Sequence, residues 1–348
     1  MLLAHLHSAL ALTVLFLAIA TLGPSRAGGV TLLPGDIVVA DEFSHSLLRI
    51  DPITGLVETI SAGGLLSTPY GIAQAADGAI LVMETNPDAP SGTAIITIDP
   101  TSGSQTVLAA GSSLFGVFDI ATEPSGQIVA VDSRVGSVLR IDAITGSVTV
   151  LSSNNLFVQP LGIAVSREGD LYVADISIVT PTNDDSGVIK VDPITGVQTQ
   201  LASGGYFQGA QFLAVAGDDL FVSDFVAQAI VRVDRQTGAQ TLVTSSLTRS
   251  VAGIAVEASG DLLVADGQLG VLRINPLTGA VSVVAPDMSF PGGLLNNPHG
   301  ILVYQQPIPE PSTVVLLAPG LLALAINRRR FRGSSLFPAT RTRAKHAV

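Results

Sequence analysis

The chain has 348 residues, of which 13% are charged, 35 are glycine and 20 are proline, and its formal net charge is −11 at pH 7. Low charge together with abundant Gly, Val, Ile and Thr favours a β protein over a helical one. Cysteine is absent, which excludes disulfides, thiolate metal sites and a cysteine nucleophile.

The charge is distributed unevenly along the chain. Residues 28–307 hold nine of the 17 basic residues and 27 of the 28 acidic residues, so this span has a net charge of −18. A body with this charge repels nucleic acid and anionic lipid surfaces, and we therefore expect no nucleic-acid partner. Solubility at high local concentration is the simplest reason for the charge.

Residues 1–27 are predicted to be a signal peptide. An uncharged apolar run at positions 9–22 has the length of the hydrophobic region of such a peptide. Ser25 and Ala27 place small residues at the −3 and −1 positions of a cut after Ala27. The sequence therefore predicts export, and residues 28–306 are the predicted folded body.

The body repeats one pattern six times, and a repeat of this kind decides the fold. Its turn is clearest as "DPITG", at residues 51 and 192, and the copies are spaced 41 to 50 residues apart. Each turn is preceded by an apolar segment such as "GDLYVAD" at residue 169, and that segment by another such as "LGIAV" at residue 161. The unit is therefore one supersecondary element used repeatedly.

Each unit contains four short β runs, which in the fourth unit are "GIAV", "DLYVAD", "VIKVD" and "VQTQLAS". The first two are apolar on both faces, as buried inner strands are, and the last alternates apolar and polar residues, as an outer strand does. Four strands at this period are typical of the blades of a propeller.

The order of the segments predicts how the ring closes. The chain enters at a second strand, "GDIVVAD" at residue 35, and ends on a first strand, "PHGILVY" at residue 298. Residues 298–303 should therefore be the innermost strand of the blade begun by residues 35–60, which removes exposed sheet edges. We predict an all-β, monomeric, six-bladed propeller of four-stranded blades, closed by its C-terminal strand.

Residues 35–304 resemble the NHL and streptogramin-lyase-like propellers. The resemblance rests on the three repeated segments quoted above, in the same order in every unit. It implies the fold much more strongly than it implies an activity, because propellers of one architecture carry many functions.

The links between strands divide the ring into two faces. The Asp-Pro-x-Thr-Gly turns and short links such as "EPSG" lie on one face, which we call the turn face. In these turns Asp51 is expected to accept bonds from turn amides and Gly55 to take a left-handed conformation. The opposite loop face carries longer loops and most of the aromatic residues: Phe43, Tyr70, Phe115, Phe118, Phe157, Tyr206, Phe207, Phe225 and Phe290. Such loops are typical binding sites, although some of these rings are expected to fill the junctions between blades.

Aligning the first strands predicts the residues at the mouth of the central channel. They are Tyr70, Phe118, Leu161, Gln211, Ala252 and His299. The next position is Gly in four units but Asp119 and Phe212 in the other two. Asp119 has two open interpretations: a buried carboxylate bonded to neighbouring strand amides, or a functional group. The candidate ligand-binding residues are Tyr70, Phe118, Asp119, Gln211 and His299.

Each second strand ends in an acidic residue. The six are Asp41, Glu84, Asp132, Asp175, Asp224 and Asp266. One such residue in every blade is what a structural loop cap would produce, so we interpret them as caps and assign no metal site and no cofactor.

The sequence gives limited support for catalysis. The body has only two histidines, His45 and His299, so a multi-histidine zinc site cannot form. The resemblance implies an alternative, because lactonase-type propellers hold a divalent metal with Glu, Asn and Asp, and streptogramin lyases use a His with a metal. Asp119 and His299 are the candidate catalytic residues of such a lyase or lactonase, and a divalent cation would then be its cofactor. The Glu and Asn members have no matching inner-strand positions.

The C-terminal segment has a three-part pattern. Its parts are Pro309-Glu310-Pro311, an uncharged run at 312–326, and Arg328, Arg329, Arg330 and Arg332. As a helix the run would span about 22 Å, less than the ~30 Å of membrane hydrocarbon. The arginines would hold its end on the cytoplasmic side. The pattern therefore predicts a marginal, transient membrane span.

This segment resembles the PEP-CTERM sorting signal of Gram-negative bacteria that make extracellular polysaccharide. The resemblance implies that the membrane protease exosortase processes residues 307–332, which contain a short transmembrane helix, after transient insertion into the inner membrane. Residues 333–348 are predicted to be a basic, disordered tail. We therefore expect a protein of the cell surface or the extracellular matrix, acting as a non-catalytic binding or scaffold protein for a polysaccharide or another envelope protein.

Overall fold

The computed structural model describes residues 30–85, 93–179, 184–288 and 294–307. Within these ranges 24 strands form six antiparallel sheets of four strands each. The six-bladed, all-β propeller predicted from the repeats is therefore confirmed. No helix in the described ranges is long and apolar enough to cross a membrane. The predicted signal peptide lies outside those ranges, and of the predicted sorting segment at 307–332 only Pro307 lies within them.

The blades are numbered in chain order, and their strands are given from the channel outward. Blade 1 contains β24 (Pro298–Val303), β1 (Ile37–Asp41), β2 (Ser46–Ile50) and β3 (Val57–Ala62). Blade 2 contains β4 (Pro69–Gln74), β5 (Ile80–Thr85), β6 (Thr93–Ile98) and β7 (Gln105–Ala110). Blade 3 contains β8 (Val117–Thr122), β9 (Ile128–Asp132), β10 (Ser137–Ile141) and β11 (Val148–Ser153). Blade 4 contains β12 (Pro160–Val165), β13 (Leu171–Val179), β14 (Asp184–Val191) and β15 (Gln198–Ser203). Blade 5 contains β16 (Ala210–Ala216), β17 (Asp219–Asp224), β18 (Ala229–Asp234) and β19 (Gln240–Thr244). Blade 6 contains β20 (Val251–Val256), β21 (Leu262–Asp266), β22 (Gly270–Ile274) and β23 (Val281–Pro286).

The hydrophobic pattern explains the position of the second strand in a blade. Every residue of β9 is buried, because both of its faces pack against neighbouring blades. The outer strand β11 departs from its apolar pattern: Val150 is exposed, whereas Ser152 is buried and donates a hydrogen bond to the Gly196 carbonyl oxygen of the next blade. The core therefore consists of apolar clusters between successive blades.

The ring closes as the order of segments predicts. Strand β24 pairs antiparallel with β1, and Ile301 lies opposite Val39. Ile301 packs in one buried cluster with Ile37 and Val39 of blade 1 and with Leu263 of blade 6. The last described strand thus supplies the inner edge of the first blade, and closing the ring in this way leaves that edge paired.

The turn face is built from one turn that recurs in all six blades. Asp51 Oδ1 accepts hydrogen bonds from the amides of Ile53, at 2.9 Å, and Thr54, at 2.8 Å. Gly55 has a φ of 70°, the left-handed conformation that was predicted for it. The equivalent capping residues are Asp99, Asp142, Asp192, Asp234 and Asn275. These bonds are local, so each turn is specified by its own five residues.

The glycine of this turn also permits close packing between blades. A Cβ atom built on Gly146 would lie 1.9 Å from the carbonyl oxygen of Leu108, which belongs to the outer strand of the preceding blade. Glycine is therefore required both for its positive φ of 68° and for the close approach.

The acidic residues that end the second strands are buried loop caps, as the sequence pattern indicated. Asp224 accepts hydrogen bonds from the amides of Gln208 and Gly209, in the loop before the inner strand. It also accepts bonds from the amides of Val226 and Ala227, in the loop after the second strand. One carboxylate thus joins the two loops that each blade presents on the loop face.

Candidate functional site

Three ring side chains meet at the mouth of the channel on the loop face. The Tyr70 ring stacks on the His299 imidazole, with centroids 3.9 Å apart and planes at 24°. The edge of the Phe118 ring meets Tyr70 at 5.3 Å and 82°. Tyr70 packs against the cluster between blades 2 and 3 and also against the cluster between blades 5 and 6. Since these clusters lie on opposite sides of the channel, the Tyr70 ring extends across its mouth.

The inner strands bring these rings together because they approach each other closely. Tyr70, Phe118 and His299 each occupy the second position of an inner strand. A Cβ atom built on Gly300 would lie 2.2 Å from the carbonyl oxygen of Tyr70. Glycine at this position therefore lets β24 lie against β4, and this places the imidazole over the phenol ring.

A polar cluster adjoins the ring stack. His299 Nε2 lies 3.0 Å from Glu42 Oε2, and Asn297 Nδ2 donates to the same oxygen at 2.6 Å. Because an ionised carboxylate can only accept hydrogen bonds, His299 donates to Glu42 through a protonated Nε2. Its Nδ1 is buried without a protein hydrogen-bond partner in the described part of the chain. The hydrogen bond from His299 is the largest cause of the lowered pKa of Glu42, so this carboxylate is ionised.

The electrostatics of the mouth favour a neutral phenol next to an ionised carboxylate. Burial raises the pKa of Tyr70, and the nearby Glu42 charge raises it further. Tyr70 therefore stays protonated at physiological pH, and it can act only as a hydrogen-bond donor or acceptor and as an apolar surface.

Of the other three residues predicted at the mouth, only Gln211 has a polar side chain. Leu161 and Ala252 are buried and pack in the core. Gln211 is half-buried, and its side-chain amide makes no hydrogen bond within the described ranges, so its donors and acceptor are available. The structure thus gathers Tyr70, Phe118 and His299 into one cluster, and the ligand-binding role predicted for them remains a prediction.

Asp119 lies deeper than the ring stack. It is 8% exposed and lines a channel cavity of about 300 Å³. Its Oδ2 accepts a hydrogen bond from the amide of Ile163, in the next blade, at 3.0 Å. Burial raises the pKa of Asp119 to about 7, which the amide bonds only partly offset. This geometry matches the interpretation as a buried carboxylate bonded to a strand amide.

The two candidate catalytic residues make different contacts. Asp119 lines the channel cavity, whereas His299 does not and bonds to Glu42 instead. Asp119 and His299 therefore have different surroundings and share no hydrogen bond within the described ranges. Also within those ranges, no group of three or more His, Asp or Glu side chains has the arrangement of a metal site.

Sequence reasoning missed the importance of Glu42 and of the Asn297 side chain. Asn297 has a positive φ of 67°, a conformation in which asparagine is a common turn former. Glu42 had a signal that could have revealed it: it directly follows the loop cap Asp41, and blade 1 is the only repeat with a second acidic residue at that place. The partner His299 lies 257 residues further along the chain, so the pairing follows only from ring closure.

The aromatic residues of the loop face that lie away from the ring stack differ in exposure. Phe157 and Phe207 are buried between blades, as expected for some of them. Phe43, Phe115 and Tyr206 are 57%, 52% and 48% exposed. The Arg134 guanidinium lies 4.5 Å from the centroid of the Phe115 ring. Phe290 lies outside the described residues. The loop face therefore presents three aromatic tips around a closed channel mouth.

These features define a six-bladed β-propeller, and solved structures share the fold. The chain resembles a chain in the crystal structure of the nidogen/laminin complex, with a TM-score of 0.65 and 14% sequence identity, over 77% of this chain and 98% of that chain. It also resembles a streptogramin B lyase structure, with a TM-score of 0.49 and 17% identity, over 71% of this chain and 72% of that chain. No protein-family model and no curated protein matches the sequence. At 14% identity the likeness to the chain of the nidogen/laminin complex shows the fold alone.

Proposed function

We propose that this propeller is a non-catalytic binding or scaffold protein whose loop face engages its partner. The observation that carries the proposal is the exposure of Phe43, Phe115 and Tyr206 on that face. Large aromatic side chains supply much contact area for little loss of conformational freedom, and they are frequent anchors of binding surfaces. The ring is rigid, so these tips are held in a fixed arrangement.

The partner that fits this face is a glycan or another envelope protein. The ionised Glu42 carboxylate bonds to His299 at the channel mouth, and Gln211 occupies the second position of its inner strand, as His299 does. Apolar rings beside a few polar groups suit a ligand with both apolar faces and hydroxyl or amide groups. The net charge of −18 for residues 28–307 disfavours nucleic acid and polyanionic partners.

The binding proposal is tested with two triple variants, each of which replaces three exposed large side chains with Ser on one face of the ring. The loop-face variant is Phe43→Ser, Phe115→Ser and Tyr206→Ser. The control changes Ile53, Ile144 and Ile194, which are exposed on the turn face, to Ser. Binding to extracellular polysaccharide from the native host is measured by sedimentation. We expect the loop-face variant to lose at least about tenfold in affinity and the control to bind like the wild type. Equal loss in both variants, or binding by neither the wild type nor the control, would contradict the proposal.

We propose further that the protein is exported and that exosortase processes its tail. The support is the signal-like start and the order of Pro309-Glu310-Pro311, apolar run and arginines. Intact-mass measurement of the protein from an exosortase-bearing host tests this. We expect a mature protein that lacks residues 1–27 and 328–348. A mature mass that still includes the arginine cluster would count against sorting.

The alternative function is a metal-dependent lyase or lactonase. The pairing of Glu42 with His299 favours it, because a carboxylate that orients an imidazole is a common arrangement in acid–base catalysis. Metal analysis of the purified propeller and a screen of lactones and cyclic esters separate the two functions. Stoichiometric divalent metal, with turnover that His299→Ala and Asp119→Ala both abolish, would replace the binding proposal.

A further inference from the structure

The central channel contains a cavity that is distinct from the loop face. It has a volume of about 300 Å³ and is lined by residues of all six inner strands. Its lining reaches Gln74, Thr122 and Val165, which are partly exposed at the turn-face end of their strands. The Tyr70 ring covers the opposite end. A small molecule would therefore enter this cavity from the turn face.

The Asp119 carboxylate of blade 3 lines this cavity and also contacts blades 2 and 4. Asp119 Oδ2 accepts the amide of Ile163 in blade 4. Its Oδ1 lies on the other side, so close to Gly71 in blade 2 that a Cβ atom built there would be 2.7 Å away. Since four of the six blades have glycine at the position of Asp119, the ring does not need a carboxylate there to form.

The rest of the described lining is uncharged. Most of it is aliphatic, with Phe212 as its one aromatic side chain. The titratable side chains on the inner strands other than Asp119 are Tyr70 and His299, and both lie at the mouth. A single negative group in an apolar cavity favours a cation that carries apolar groups, because burying a charge requires a paired partner.

We propose that this cavity binds a small alkylammonium ion, whose nitrogen pairs with the Asp119 carboxylate and whose alkyl group packs against Ile163 and Phe212. A divalent metal fits less well. Calcium takes six to eight oxygen ligands and magnesium takes near-octahedral oxygen coordination, whereas the described side chains of this cavity supply one carboxylate, with one oxygen already bonded to an amide.

The proposal is tested with n-butylammonium as the probe, and with tetramethylammonium and magnesium chloride as comparisons. Calorimetry measures affinity, and the NMR shift of the Ile163 amide reports on the carboxylate it bonds. We expect n-butylammonium to bind the full chain and to shift this amide. Tetramethylammonium should bind at least tenfold more weakly, because it has no N–H donor.

Two substitutions at one position and a control make the test specific. Asp119→Asn keeps an acceptor for the Ile163 amide, and Asp119→Gly installs the residue of four other blades, so both should fold. Both are expected to lose at least tenfold in affinity for n-butylammonium. Asp218→Asn, which removes an exposed carboxylate on the turn face, should bind like the wild type.

The affinity should also depend on pH in a defined direction. With the pKa of Asp119 at about 7, the carboxylate is nearly all ionised at pH 8.5 and nearly all protonated at pH 5.5. Affinity should therefore fall about 30-fold from pH 8.5 to pH 5.5. Undiminished binding by Asp119→Asn, no binding of n-butylammonium at pH 8.5, or binding of magnesium in preference to it would each overturn the proposal.

Discussion

On both faces of the ring a carboxylate accepts hydrogen bonds from loop amides. The two faces differ in how far apart in sequence the carboxylate and these amides lie. On the turn face Asp234 accepts hydrogen bonds from amides two and three residues further on, and it is only half-buried. On the loop face of the same blade Asp224 is fully buried and joins two loops up to 16 residues away. The turn face is therefore specified locally, whereas the loop face depends on the assembled ring.

This difference explains why the candidate site lies on the loop face. Its loops differ in length from blade to blade, while the turns recur almost unchanged. A rigid repeated face allows the opposite face to vary without loss of the fold. The contact between Glu42 and His299, 257 residues apart, exists only because the ring closes.

The largest expected effect comes from removing the strand that closes the ring. A chain truncated after Asn297 lacks β24 and leaves β1 with an unpaired inner edge, so most of the free energy of unfolding should be lost. Circular dichroism during heating measures this, with a chain truncated after Gln305 as the control. Melting of both chains at the same temperature would show that the closure is dispensable.

The second effect concerns Asp119 and depends on pH. The pKa of this residue is about 7 in the folded protein, against about 3.9 for an unfolded aspartate. Between these values the unfolded chain releases its proton while the folded one retains it, so stability falls as pH rises from about 4 to 7. Asn stays neutral, so Asp119→Asn should match the wild type at pH 4 and exceed it by up to about 4 kcal/mol at pH 7.5.

Urea unfolding at the two pH values measures this gain. Asp142→Asn on the turn face is the comparison, because turn amides lower the pKa of Asp142 to about 2. Its stabilisation is present above the unfolded pKa and is lost as pH falls, which is the opposite sign. A wild-type protein whose stability relative to Asp119→Asn did not change with pH would contradict the burial argument.

The third effect compares the two kinds of cap within blade 5. Asp224→Ala removes a buried carboxylate and leaves four amides, one of them in the buried residue Gly209, without their acceptor, and should cost about 3 kcal/mol. Asp234→Ala should cost much less, because Asp234 is only half-buried and water can reach the turn amides that it leaves. Denaturant unfolding of both variants tests the comparison, and equal losses would mean that the two faces do not differ in this way.

The smallest effect is expected at exposed apolar tips on either face. Phe43 on the loop face is 57% exposed and Ile144 on the turn face is 92% exposed. Replacing either residue with Ser should change the free energy of unfolding by less than about 0.5 kcal/mol. A larger loss at Phe43, measured by urea unfolding, would show that this ring supports the fold and would weaken its proposed role in binding.

The sequence predicted the parts of the molecule that are encoded by local pattern. The strand order, the closure by residues 298–303 and the turn chemistry of Asp51 and Gly55 all follow from repeated motifs, and the structure confirms them. Alignment of the repeats also placed Tyr70 and His299 at the channel mouth, because equivalent positions of equivalent strands lie at the same height.

The remaining features depend on contacts that no single repeat contains. The bond between Glu42 and His299 joins the two ends of the ring, and the stacking of Tyr70 on His299 requires the close approach at Gly300. The bond between Asp119 and the Ile163 amide also joins two blades, so it lies outside what a single repeat shows.

The pairing of β24 with β1 also sets the order in which the chain can finish folding during synthesis. Asp41 accepts a hydrogen bond from the amide of Asn296, 255 residues later. Blade 1 therefore cannot be completed until almost the whole body has left the ribosome. Blades 2 to 6 consist of contiguous segments and can each pair their strands as they emerge, while contacts of such long range form last. Any chaperone or export factor that acts on the nascent chain therefore meets a ring that is still open.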